Sequence, residues 1–162
     1  MLIEVDTAAD TEPKWTVAGP GEGVQSRANA VAVDGQGRYH LAGYACFDVC
    51  EPVGEVRGYE PGGKLFSNVS LGPLGSAWFG PHDIAWSPAG YAVVALGAKQ
   101  GQSTVFKVQA FAPNVPEPKW TFLSSDNQGL ALALAVAVGT FGEVYAGGIG
   151  AENHPAFAVI GG

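Results

Sequence analysis

Few side chains in this sequence combine in ways that could do chemistry. His82 stands directly before Asp83, a pairing that can bind a metal or present a general base. Where a strand begins, such a pair more commonly acts as a cap that bonds backbone groups, and this is the first expectation. Cys46 and Cys50 have C-x3-C spacing. A zinc site needs two more ligands and usually C-x2-C pairs, so a local disulfide or two free loop thiols is the simpler expectation. His40 falls within an alternating apolar segment, where a hydrogen-bonded structural histidine is expected. There is no G-x-S-x-G elbow, H-E-x-x-H helix, P-loop or D-x-D-x-D-G calcium loop. No cofactor and no metal are expected.

The elements positioning these residues are strands. The chain has 24 Gly and 11 Pro, only 14% charged residues and 47% hydrophobic ones. Gly and Pro break helices, and disordered chains combine low hydrophobicity with high charge. Short strands joined by tight turns fit this composition. The net charge is −7, with 8 scattered Lys and Arg, so the cationic patch that displaces counterions from nucleic-acid phosphates is not expected. The best apolar run, Leu130 to Val138, is about half as long as a bilayer-spanning helix requires. No membrane insertion is expected. The acidic start MLIEVDTAADTE lacks the basic-then-apolar pattern of a signal peptide.

An internal repeat organises the chain. Glu-Pro-Lys-Trp occurs at Glu12 to Trp15 and again 105 residues later at Glu117 to Trp120. A turn glycine follows an alternating apolar segment at Gly37, Gly90 and Gly142, giving shifts of 53 and 52. Together these shifts equal the spacing of the Trp motif, so two independent markers define one period. Each unit reads as four strands. The first are Ala30 to Val33, Ile84 to Trp86 and Leu134 to Val138; the second, Arg38 to Gly43, Tyr91 to Gly97 and Glu143 to Gly147. The third are Val56 to Tyr59, Val105 to Phe111 and Ala156 to Ile160; the fourth, Lys64 to Asn68, Lys119 to Phe122 and Lys14 to Val17. First strands are rich in Ala and Val, while the fourth carry Phe66, Trp120 and Trp15. Small residues inside and large ones outside are what radially packed blades require.

The pattern A-x-A-V-A-V-D-x-x-G-x-x-Y at Ala28 to Tyr39, continued by Val56 to Phe66, resembles bacterial SBBP-type and NHL-like β-propeller repeats. Units two and three depart from it, with Ser87 and Gly139 in place of Asp34. The resemblance covers nearly the whole chain and implies an all-β propeller of three four-stranded antiparallel blades, half of a six-bladed ring. It also implies a bacterial, extracytoplasmic setting, secreted or at the surface, and a binding role. The expected organisation is one partial propeller domain, residues 1–162, with repeats at about 28–78, 81–122 and 130–162 plus 1–18. By repeat phase both ends of the chain are third strands. Three blades are too few for a ring, and a half-ring exposes apolar faces. A homodimer is expected, self-associating head-to-tail through blade edges, with missing blades as the alternative.

In such a ring the loops before first strands and those between second and third strands share one axial face. Ligand contacts are expected there from Arg27, Asn29, His82, Asp83, Asp126 and Asn127. Lys99, Glu152 and His154 fall on the same face, with His154 in a different blade from the two cysteines. The function expected is a non-enzymatic binding or scaffold module for a protein or glycan. The alternative is a propeller-type lyase or hydrolase with an axial site near His82 and Asp83.

Overall fold

Three tight turns set the architecture. In a computed structural model, which describes residues 2–5, 13–17, 25–47, 51–74, 80–100, 103–124, 131–150, 152 and 154–161, Gly37, Gly90 and Gly142 have φ of 76°, 86° and 92°. Each donates its N–H three residues back, to the carbonyls of Asp34, Ser87 and Gly139. Glycine adopts positive φ without the steric cost that a Cβ brings, so these positions turn the chain into hairpins.

The described strands are β1 (Leu2–Val5), β2 (Pro13–Val17), β3 (Gln25–Val33), β4 (Tyr39–Phe47), β5 (Glu51–Tyr59), β6 (Leu65–Pro73) and β7 (Pro81–Ser87). They continue with β8 (Tyr91–Gln100), β9 (Ser103–Phe111), β10 (Trp120–Leu123), β11 (Leu132–Val138), β12 (Val144–Ile149) and β13 (Pro155–Ile160). The fold is all-β. Sheet one runs β3-β4-β5-β6, sheet two β7-β8-β9-β10 and sheet three β11-β12-β13, while β1 and β2 form a two-stranded sheet. All described pairings are antiparallel. Among the described residues the sheets do not close into a barrel or a propeller.

Two expectations are corrected. The third sheet has three strands, not four, because β2 takes its hydrogen bonds from β1, its neighbour in sequence, and β13 stands at the edge. The first strand of sheet one also begins at Gln25 rather than Ala30. A bulge between Ala28 and Ala30 breaks the alternation there, which hides the strand's first half from a period-two reading.

Sheet two lies between the other two. One face meets sheet one through Ile84, Ala92, Val94, Leu96 and Phe111, against Ala42, Val56 and Val69. The opposite face meets sheet three through Val93, Ala95, Phe106, Val108 and Ala110, against Ala133, Val136, Val144 and Ala146. Strand β8 is therefore buried on both faces from Tyr91 to Gly97, which explains its continuous apolar run. Each fully buried Val contributes about 1.5–3 kcal/mol relative to exposure. Large aromatics fill the outer part of the second seam. Trp120 meets Tyr91 edge-on with ring centroids 6.4 Å apart, and Phe122 meets Phe106 at 6.3 Å. The side chain of Trp15 lies outside the described residues.

Candidate functional site

The start of each sheet's first strand is irregular in the same way. Register shifts lie between Ala28 and Ala30, Pro81 and Asp83, and Ala133 and Ala135. The extra residues are Asn29, His82 and Leu134, separated by 53 and 52 positions, the same shifts as the turn glycines. A bulge leaves one residue unpaired and redirects its neighbours. It also brings the strands close. A Cβ on Gly43 would collide with the Arg27 carbonyl oxygen, and one on Gly148 with that of Leu132.

These bulges place two of the residues that sequence reasoning selected. Asp83 accepts from the Ile84 N–H through Oδ1 at 2.9 Å, and from the Val136 N–H through Oδ2 at 2.9 Å. The second bond crosses from sheet two to sheet three. Asn29 donates from Nδ2 to the Pro81 carbonyl at 2.6 Å, crossing from sheet one to sheet two. His82 is half-buried at its bulge, and Arg27 is exposed. Lys99 is exposed, and the exposed His154 Nε2 stands 3.7 Å from Glu152 Oε2. Asp126, Asn127 and Cys50 lie outside the described residues. Cys46 is buried and disulfide-bonded, and the chain's other cysteine is Cys50.

A second polar group was only partly visible in the sequence. Asp34 is buried at the first hairpin turn, 7% exposed, beside His40 at 2%. Its Oδ1 accepts from the Gln36 and Arg38 N–H groups at 2.8 and 3.0 Å, and its Oδ2 from Arg38 Nε at 2.7 Å. His40 Nε2 lies 3.1 Å from the same Oδ2. Burial alone would raise the Asp34 carboxyl. The Arg38 backbone N–H, His40, the Arg38 side chain and the Gln36 N–H outweigh it and hold the group well below the usual carboxylate range. An ionised carboxylate has no proton to give, so the neutral imidazole carries its hydrogen on Nε2. Burial pushes His40 below the ordinary imidazole value, against the raising effect of Asp34. The ring stacks on Trp86 of sheet two at 4.1 Å and meets Phe66 edge-on at 5.6 Å, while Arg38 lies 4.7 Å over the Phe66 ring. His40 is thus a hydrogen-bonded residue of the first seam. The run from Asp34 through Arg38 to His40 was the available signal. The aromatic partners come from elements 26 and 46 residues beyond His40 and had none.

A cavity of about 140 Å³ opens between sheets two and three, lined by Phe106, Phe122, Ser124, Ala131, Ala156 and Ala158 among others. Its volume suits one ring or side chain and is well below the roughly 300 Å³ at which small-molecule pockets begin. The Ser124 Oγ is buried without a hydrogen-bond partner. Compared with protein-family models, with curated proteins and with solved structures, the chain matches none.

Chemically, the arrangement joins sheets. Both oxygens of Asp83 are engaged by backbone donors, and Asp34 is committed to its own turn and to His40.

Proposed function

We propose that the chain is a non-enzymatic binding or scaffold module of the β-propeller class, related to SBBP-type and NHL-like repeats. The observation that carries the reading is Asp83. The carboxylate best placed for chemistry spends both oxygens on backbone N–H groups, one of them in the next sheet. The propeller reading is supported by three sheets stacked face to face in chain order, with alanine-rich first strands in sheets one and three and aromatic-bearing fourth strands in sheets one and two. A surface for a protein or glycan is offered where the first strands begin, by the exposed Arg27, Lys99 and Glu152. The small apolar cavity suits a partner's inserted side chain better than a substrate.

The test probes immobilised glycan and peptide arrays with the chain and with Arg27→Glu. Binding that Arg27→Glu abolishes, with unfolding unchanged, supports the module. Turnover of ester, glycoside or uronate model substrates in proportion to chain concentration, lost in His82→Ala, would overturn it in favour of the lyase or hydrolase.

A further inference from the structure

The two seams between sheets use one geometry, and that geometry leaves a third place open. The register rows show it. In sheet one Ala32, His40 and Gly58 pair across the strands, in sheet two Ala85, Val93 and Ala110, and in sheet three Ala137, Tyr145 and Val159. Each row lies at the same distance from its hairpin turn. The first faces sheet two and the second faces sheet three. The third faces none of the described sheets. Tyr145 and Phe157 stack there with centroids 6.4 Å apart; Phe157 and Val159 are 70% and 61% exposed, and Phe157 also borders the cavity between sheets two and three.

The complementary surface is exposed at the far side of the stack. Sheet two receives sheet one on Trp86, Ala92, Ile84 and Val94, and sheet three receives sheet two on Val138, Val144, Val136 and Ala146. The register counterparts in sheet one are Val33, Tyr39, Val31 and Leu41. Val31 and Val33 are 53% and 55% exposed. Every copy of the chain therefore carries both halves of a joint that it already makes twice within itself.

We propose that the face of Tyr145, Phe157 and Val159 is covered by a second copy of this chain, through that copy's Val31 and Val33 face. The joint is heterologous and continues the chain's own two seams outward. It differs from them in polarity. The bulge of sheet three presents Leu134 and Ala135 where the inner seams use Asn29 or Asp83, so the outer joint is apolar. The inference rests on the propeller reading in treating the seams as repeats of one joint and in closing two chains into a ring, so that one dimer makes both joints.

The experiment is light scattering over a dilution series, with the chain, Phe157→Asp and Val33→Asp, each checked for a native circular-dichroism spectrum. Val159→Asp and Val31→Asp serve as second variants should either fail to fold. The expected result is twice the 16.6 kDa mass for the parent chain and a monomer for each variant. An equimolar mixture of Phe157→Asp and Val33→Asp should recover a dimer, because one undamaged face remains on each partner. A monomeric parent would overturn the proposal. So would a Val33→Asp protein that still dimerises, since the open face would then pair with itself, and so would a mixture that stays monomeric. The binding reading fails separately, on the arrays.

Discussion

Replacing Asp83 by alanine removes the acceptor of two backbone donors at once, and the structure sets the size of the effect. The Val136 N–H lies 2.9 Å from Oδ2, on a residue only 9% exposed, and the Ile84 N–H lies 2.9 Å from Oδ1. Stripping a charged acceptor from a buried donor costs about 1.5–3 kcal/mol, and the more local bond adds about 1 kcal/mol. The expected loss is therefore ~2.5–4 kcal/mol, against a total stability on the order of 5–15 kcal/mol for a domain. With a urea dependence of about 2 kcal/mol per molar, the midpoint should fall by more than about 1 M. Asp83→Asn keeps the shape and one acceptor oxygen, and should lose about half as much. Urea unfolding followed by tryptophan fluorescence reads both, and an unchanged slope shows that only stability moved. A midpoint for Asp83→Ala at or above that of the parent would refute the reasoning. Groups held in place for chemistry rather than folding commonly give that result.

Two further outcomes follow from the same geometry. Gly43→Ala and Gly148→Ala drive a Cβ into the carbonyl oxygens of Arg27 and Leu132 and should each cost at least ~3 kcal/mol, whereas Gly35→Ala, which meets nothing within 4 Å, should stay within about 0.5 kcal/mol; thermal melts of the three compare them directly. His40 is held neutral, with its folded-state value depressed by burial, so the unfolded chain takes up the proton first. Its contribution is complete above the unfolded value of about 6.5 and is lost as pH falls through the lower folded value. Urea midpoints should therefore decline below about pH 6.5, and His40→Gln should flatten that decline. A parent midpoint that is constant down to the carboxylate range would show that His40 charges without penalty.

The three hairpin turns were legible because they are written in glycines that the backbone cannot replace. Gly37, Gly90 and Gly142 all have positive φ, and their spacing follows from the sequence alone. The starts of the first strands were not legible, because the bulges at Asn29, His82 and Leu134 interrupt the alternation on which strand reading depends. His82 and Asp83 stood out as a pair, and capping of the strand entry by one or the other was the expected use; Asp83 bonds backbone N–H groups. The sequence cannot show that its second oxygen bonds Val136, 53 residues further on. Arg27 and Asn29 were expected in the loop before the first strand; both lie within β3, where Asn29 reaches another sheet. That reach depends on which way a bulged backbone turns its side chains.

The hairpin turns show why the three sheets look less alike in sequence than at their turns. Each turn needs an acceptor for the amides exposed at its bend. In the first it is the Asp34 carboxylate, bonded by Gln36 and Arg38; in the second it is the Ser87 hydroxyl, bonded by Ala89. The third has Gly139 at that position, and Glu143 reaches back to take the Phe141 N–H through Oε2. A Cβ on Gly139 would meet that carboxylate at 2.6 Å, so the glycine and the glutamate form one solution split across two positions. Asp34 is therefore one of several ways to meet a fixed backbone demand, and the turns at Ser87 and Gly139 close without a carboxylate at that position. Identity at such positions tracks local chemistry, while φ and register track the fold. Function should then be sought where the units differ without a structural reason. The open apolar row of sheet three, with Tyr145 and Val159 where sheet two has Val93 and Ala110, is the clearest such place.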